Sequence, residues 1–316
     1  MLQSSIGPQA TASEIVAGHD LRGKTLLITG ASAGIGYEAA RTLLSAHAEV
    51  IIAGRSRTNG EQAVQTLRAA YPDEQVHFLL LDLGSLVSVR QAAAQFSAQW
   101  NRLDVLINNA AVMATPLGYT SEGFEQQFGI NFLGHFLLTR LLLPVLSKAA
   151  PARVVSLTSS AHRASDIHFE DIHFEQRPYE KWAAYGQSKT ADALLGVALT
   201  RHAGEMGITA NAVNPGGART GLQQHLSAEE MRARGYYDQE GNLSALFQTT
   251  EQAASTTVWA SIGDELAGVG GLYLERCQQA PPRTEDMLPG QGYMPYALNP
   301  EHAEQIWVLA EKLVGL

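Results

Sequence analysis

From Lys24 onward the chain alternates two textures. Short apolar runs (KTLLITG, EVIIAG, VHFLLLD and DVLINNA) are rich in Val, Ile and Leu and show no polar alternation. Longer amphipathic stretches separate them, at Ile35 to Ala46, Thr58 to Ala70 and Ser85 to Gln99. A strand with one wet face alternates in polarity, so unbroken apolar runs predict strands covered on both faces, and each intervening stretch is long enough for a crossover helix. The alternation continues through a helix near Glu122 to Ser147, the run RVVSLTS, a helix from about Ala184 to Gly204, ITANAVNPGG, a helix near Glu251 to Ile262, GGLYLE, and a terminal helix near Pro300 to Val314. The predicted class is α/β, a single doubly wound Rossmann-type parallel sheet with helices on both faces. No low-complexity linker divides the chain. We therefore expect an N-terminal extension over 1–22 and one domain over 23–316, with irregular insertions near 161–183, 217–250 and 276–299 walling a pocket.

Composition narrows the function classes. Hydrophobic residues make up 45% of the 316, enough for a sizeable core. The net charge is −9, from 22 basic and 31 acidic residues, so nothing in the overall balance favours nucleic acid or an anionic membrane. The densest apolar run, Phe132 to Leu146, contains Arg140 and Pro144 and is too short to span a bilayer; a buried helix is expected. Cys277 is the one cysteine, which precludes an internal disulfide and fits a reducing, cytoplasmic compartment. The N-terminus has neither the basic start nor the apolar core of a signal peptide.

Two glycine motifs compete as phosphate sites. GHDLRGKT, Gly18 to Thr25, has the spacing of a nucleoside-triphosphate loop, yet its Lys-Thr pair opens an apolar strand where that loop requires a helix. TGASAGIG, Thr29 to Gly36, has the right flanks, a strand before and an amphipathic helix after. Gly30 permits the sharp turn, and Gly34 and Gly36 allow close approach to a ligand. The helix N-terminus offers free amides to a pyrophosphate, so a dinucleotide suits this geometry. Further along, Tyr185 and Lys189 are four apart and share a helix face, which sets an ammonium beside a phenol and favours the phenolate by charge.

Thr29 to Gly36, NNA at Asn108 to Ala110, a serine after the fifth strand and YGQSK at Tyr185 to Lys189 together resemble the short-chain dehydrogenase/reductase family. DLGSLVSVR, INFLGHFLLT, SSAH and NPGGART bring the chain nearest the branch of the retinol dehydrogenases and the WW-domain oxidoreductase, over roughly Asp20 to Leu316. The resemblance implies an NADP(H)-dependent oxidoreductase interconverting a ketone or aldehyde and its alcohol. In it Tyr185 is the general acid or base and Lys189 lowers the phenol pKa and holds the nicotinamide ribose. Ser159 orients the carbonyl, with Ser160 as the second choice, and Asn131 supports a proton relay. Cofactor contacts are implied for Gly30, Ser32, Ala33, Gly34, Ile35 and Gly36; for Asp82, Leu83, Asn109, Ala110 and Ala111; and for Pro215, Gly216 and Thr220. Ala111 stands where the family usually has glycine. At the end of the second strand an acid would bind the ribose of NAD, whereas Arg55, followed by Ser56, suits the 2′-phosphate of NADP. The family also contains homodimers paired through two helices, here Phe132 to Leu146 and the Tyr185 helix with its Ala191, Ala193, Gly196 and Ala198. A catalytically silent cofactor sensor or scaffold, and a sugar-nucleotide epimerase or dehydratase, are the competing classes. The first would have no use for Ser159, Tyr185 and Lys189 together, and the second usually carries a different glycine spacing.

One feature resists that scheme. DIHFE occurs twice in tandem between Asp166 and Glu175, so two histidines and four carboxylates crowd ten residues. His168 and His173 are five apart with no third ligand set by spacing, so no metal is expected. The repeat is expected to turn near Glu170-Asp171 and to form a lip of the substrate pocket.

Overall fold

Each apolar run forms a strand whose alternate side chains enter two different cores. In β1 (Thr25–Thr29) Leu26 and Ile28 enter one and Leu27 the other; in β2 (Glu49–Gly54) Val50 and Ile52 join the first, Ile51 and Ala53 the second. Burial on both faces removes any need for polar alternation. The computed structural model describes residues 1–238, 240–244, 247–288 and 290–316; Gln239, Ala245, Leu246 and Pro289, which fall within the expected pocket-wall segments, lie outside the described residues.

Before β1 comes α1 (Ala12–Val16), which packs on α2 (Gly34–Leu44) and on α9 (Thr250–Ile262), so the first 22 residues join the core layer through Ala12, Ile15 and Val16. After β2 the chain runs through α3 (Arg57–Ala70), β3 (Val76–Leu80), α4 (Leu86–Gln99) and β4 (Val105–Asn108). Next, α5 (Gln126–Phe128), a π-turn over Gly129–Leu133 and α6 (Gly134–Lys148) make one rod, followed by β5 (Ala152–Leu157), α7 (Lys181–Ala203) and β6 (Ile208–Asn214). An excursion holds β7 (Gly217–Ala218), α8 (Ala228–Ala233) and β8 (Phe247–Gln248). After α9 come β9 (Tyr273–Glu275), β10 (Gln278–Gln279) and α10 (Pro300–Val314).

The main sheet runs β3-β2-β1-β4-β5-β6-β9-β10, parallel throughout except for β10, which is antiparallel to β9. The order reverses between β1 and β4, where parallel sheets open a crevice at their strands' C-terminal ends. The Lys24-Thr25 pair of the rejected phosphate loop lies at the opposite end, where Lys24 Nζ donates to Asp104 Oδ1 at 3.0 Å.

Two expectations change. The rod Gln126–Lys148 spans 23 residues and runs through Pro144, so length and composition alone would let it cross a bilayer. Most of it is nevertheless buried inside the protein, 72% of its apolar window, as befits a core helix. The face expected to form a homodimer is occupied by this chain's own α10. Ala303, Ile306, Trp307 and Ala310 share a core with Phe136, Ala191, Leu194 and Ala198, and Trp307 stacks on His202 at 4.2 Å and meets Phe136 edge-on at 5.1 Å. Arg140 lies over the Trp307 ring and pairs with Glu311 at 2.9 Å. Much of the face expected to pair is thus covered within the chain, and light scattering distinguishes a monomer from a dimer formed through what remains of it. Trp307→Ala should cost about 3–5 kcal/mol in urea unfolding; a loss under about 1 kcal/mol would show that α10 is only lightly docked.

Candidate active site

The strand-to-helix turn after β1 builds one wall. Gly30 sits at φ +67°, and a Cβ there would fall 2.8 Å from the Ala110 Cα; a Cβ on Gly36 would meet the Asn109 amide nitrogen at 2.4 Å. Those approaches explain glycine at both positions. Asn109 Nδ2 donates to the Thr29 carbonyl at 2.7 Å, and the Asn109 and Ala110 amides donate to Thr29 Oγ1 at 2.9 and 3.0 Å, so the β1 and β4 loops lock together. Helix α2 begins at Gly34 with no side-chain cap on its first amides, which leaves them available to an anion.

These loops open on a cleft of about 840 Å³, within the size range of cofactor sites. Of the residues expected from sequence, Gly30, Ser32, Ala33, Gly34, Ile35, Gly36, Arg55, Ser56, Asp82, Leu83, Asn109, Ala110, Ala111, Ser159, Tyr185, Lys189, Pro215, Gly216 and Thr220 all line it. Asp82 also accepts the Gly84 amide at 2.9 Å, so it closes a turn at the strand end as well. Arg55 is exposed on the cleft wall, and among the described residues no carboxylate pairs with it. Asn131 is brought close but stands behind the wall. It is fully buried in the π-turn, where Oδ1 accepts the Val112 amide at 2.8 Å and Nδ2 donates to Val112 O and to Ser188 Oγ, both at 3.0 Å. Ser188 Oγ donates to the Tyr185 carbonyl at 2.8 Å, so Asn131 ties the β4 loop to the helix bearing Tyr185.

Tyr185 and Lys189 lie on one face of α7, the ammonium 5.8 Å from the ring centre. Tyr185 is 3% exposed. Burial raises its pKa; Lys189 and a hydrogen bond with Ser159 pull it down, Asp192 pushes it up, and the net lies above the ordinary tyrosine value. The expectation from spacing was a phenol drawn below its usual range. Lys189 does act in that direction, but burial outweighs it.

Sequence reasoning missed the reason Lys189 can be charged while buried. Its Nζ donates to the Leu157 carbonyl and to Asp192 Oδ2, each at 2.8 Å. Burial opposes the Lys189 charge, but Asp192 and Tyr185 overcome it, so its pKa lies above the usual lysine value. Asp192 is itself pushed up to about 6 by burial, which Lys189 only partly offsets. An i,i+3 acid on the same helix was a readable signal.

Two buried histidines, also missed, brace the catalytic elements. Burial lowers both pKa values to about 4, so each imidazole is neutral. His135 Nδ1 donates to the Asn131 carbonyl at 2.6 Å, which leaves Nε2 to accept the Thr29 hydroxyl at 2.8 Å. His162 Nδ1 donates to the Ser159 carbonyl at 2.7 Å, and its Nε2 accepts the Met294 amide at 3.0 Å.

The rim departs from expectation. None of the DIHFE repeat lines the cleft. Ile167 and Ile172 enter the core between α6 and α7, and Phe174 is buried. Asp171 accepts the amides of Glu175, Gln176 and Arg177. The His173 ring stacks on Phe124 at 5.6 Å and accepts the Glu125 amide at 3.2 Å. The apolar side chains thus dock the loop onto the body, and it cannot serve as a pocket lip. Tyr236 and Phe247, from the excursion after β6, line the cleft. Arg163, Arg234 and Arg276 line the cleft from the three expected wall segments, and Pro8, Gln9 and Glu275 join them from outside those segments.

Comparison with known proteins agrees with this architecture. The sequence model for short chain dehydrogenases matches residues 24–231. A Streptomyces lividans protein named as an oxidoreductase is 43% identical over 91% of this chain and 96% of its own length. Human retinol dehydrogenase 13 is 38% identical over 93% of this chain and 85% of that protein. Among solved structures, an uncharacterized protein of Mycobacterium paratuberculosis superposes with a TM-score of 0.71 at 32% identity, covering 95% of this chain and 97% of its own. A Pseudomonas aeruginosa RhlG/NADP active-site complex gives 0.59 at 28% identity, over 77% of this chain and 91% of its own. The chain therefore belongs to the short-chain dehydrogenase/reductase family of oxidoreductases, alongside relatives that include the retinol dehydrogenases.

Proposed function

We propose that the protein is an NADP(H)-dependent enzyme interconverting a ketone or aldehyde and the corresponding alcohol. The observation that carries this is the convergence of Ser159, Tyr185 and Lys189 on the cleft whose glycine-rich wall and Arg55 suit a phosphorylated dinucleotide. The residues present fit that cofactor. The uncapped start of α2 would take the pyrophosphate, Arg55 and Ser56 the 2′-phosphate, Asp82 the adenine end, and Lys189 with Pro215, Gly216 and Thr220 the nicotinamide end. When bound, the cofactor supplies or accepts a hydride.

The remaining chemistry belongs to this chain. Ser159 and Tyr185 present two hydroxyls to one substrate oxygen. In reduction, Tyr185 gives its proton to that oxygen as negative charge develops there; in oxidation, it takes the alcohol proton. A phenol with a raised pKa is protonated at neutral pH, which suits the reductive direction. The Lys189 charge stabilises the phenolate left behind, and the Asn131 carbonyl, held by His135, supports its reprotonation. NADP complexes among the structural relatives support the cofactor choice. A panel of aldehydes, ketones and alcohols followed by NADPH absorbance tests the proposal; no turnover of any of them by cofactor-loaded protein would refute it. The protein is expected to act in the cytoplasm.

Asp192 gives a pH prediction. Asp192 keeps the buried Lys189 charged, and Lys189 lowers the Tyr185 pKa by more than Asp192 raises it, so Asp192→Asn should raise the phenol pKa. The limb of the alcohol-oxidation pH profile set by that group should move to higher pH. An unmoved limb with unchanged protein stability would show that Asp192 is electrostatically silent at the site.

A further inference from the structure

The substrate side of the cleft has a charge pattern at odds with the rest of the protein. Although the chain carries a net −9, Arg163, Arg234 and Arg276 line this wall against a single carboxylate, Glu275. Glu275 is committed to the scaffold: Oε1 accepts the Gly292 amide at 2.8 Å and Oε2 the Asn214 amide group at 3.3 Å. Among the described residues none of the three arginines forms an ion pair within 4.0 Å.

The arginines come from three elements that line the same cleft as Ser159 and Tyr185. Arg163 lies four residues after Ser159, and its Nε donates to the Ser160 carbonyl at 2.9 Å, which fixes the guanidinium next to the catalytic turn. Burial, followed by the neighbouring Arg283, pushes its pKa down, and the opposing pull of Tyr273, Glu275 and Tyr296 offsets this only in part. Arg234 stacks on Trp182 at 3.4 Å, and Trp182 meets Tyr185 edge-on at 6.3 Å. Arg276 occupies the tight β9–β10 turn, where it and Cys277 hold φ of +51° and +54°. Two adjacent non-glycine residues in that region carry a conformational cost. The turn is held in place by the Cys277 amide donating to Thr256 Oγ1 at 3.0 Å and by its carbonyl accepting the Ser4 amide at 2.8 Å. On the same cleft, Met113, Leu222, Tyr236 and Phe247 supply an apolar surface.

We propose that the preferred substrate is an oxo acid or hydroxy acid, whose carboxylate is received by Arg163 and Arg276 and whose apolar body lies against Met113 and Tyr236. The proposal rests on the oxidoreductase reading above and adds a substrate class to it. Guanidinium and carboxylate match as bidentate partners, and a wall partly shielded from water strengthens the pairing.

The test compares benzoylpropionate with its methyl ester, in turnover with NADPH by wild type, Arg163→Gln and Arg276→Gln. The acid should exceed the ester in kcat/KM by about ten- to a hundred-fold, and each variant should cut that ratio about ten-fold, chiefly through KM. Equal use of acid and ester, or a ratio unmoved in both variants, overturns the proposal. Because Arg163 also holds Ser160, Arg276→Gln serves as the variant without that complication. In parallel, phenylbutyrate and its methyl ester, which cannot be reduced, are titrated by calorimetry into the enzyme with NADPH. Acid binding that weakens in both variants supports the anion site even if no ketone is turned over, a result that would count only against the oxidoreductase reading. Ester binding as tight as acid binding overturns the anion site even in an active enzyme.

Discussion

Tyr185→Phe is expected to reduce turnover by about 10²–10⁴-fold while leaving NADPH affinity within a few-fold of wild type. The phenol is buried beside Ser159 and Lys189, with Met113, Ala114 and Leu226 packed around its ring. Removing one oxygen keeps the ring and its packing but deletes the group that exchanges a proton with the substrate oxygen. The loss should fall on kcat and kcat/KM together, as it does for an interaction made only in the transition state. Lys189 and Asp192 remain paired in the variant, so the fold should persist, as checked by the unfolding midpoint. Full activity in Tyr185→Phe would remove the acid from the scheme.

The second large effect concerns cofactor choice. Arg55→Asp is expected to weaken NADPH binding by about ten- to a hundred-fold and to leave NADH binding unchanged or improved. Arg55 directly follows β2 at the crevice, exposed, with the cleft-lining Ser56 beside it; Ser56 Oγ accepts the Asn59 amide at 3.3 Å and caps α3. A carboxylate in place of the guanidinium repels a 2′-phosphate and can accept hydrogen bonds from a ribose. Fluorescence titration of both cofactors against both proteins reads the change. Unaltered NADPH affinity would show that the phosphate is held elsewhere.

How far the chain could be read from sequence follows from where each signal originates. The strands were legible because Leu26, Leu27 and Ile28 are all buried, albeit in different cores, and the resulting run has one physical explanation. Gly30 and Gly36 were legible because the β4 loop packs where their Cβ atoms would be. Tyr185 and Lys189 were legible because an i,i+4 pair is local. The segments holding Arg163 and Arg276 were legible as pocket walls, but which of their side chains face the cleft was not, since irregular segments carry no periodicity that fixes side-chain direction. His135 and His162 carried no local signal of their role, and only the tertiary structure shows each bridging two functional segments. The DIHFE repeat misled because its polar residues drew attention, whereas Ile167, Ile172 and Phe174 decide where it goes. The surface proposed for pairing was hard to read for a similar reason: the small residues of α7 do receive a helix, but it is α10 of the same chain.

The most direct test of the central claim is hydride transfer itself. Cofactor-loaded wild-type protein is mixed with NADPH deuterated at the reactive nicotinamide carbon and with each carbonyl compound of the panel, and the alcohol product is weighed by mass spectrometry. The account predicts an alcohol one deuterium heavier at the former carbonyl carbon, with the product lost in Tyr185→Phe although that variant still binds NADPH. Tight NADPH binding with no deuterium reaching any carbonyl compound would contradict it.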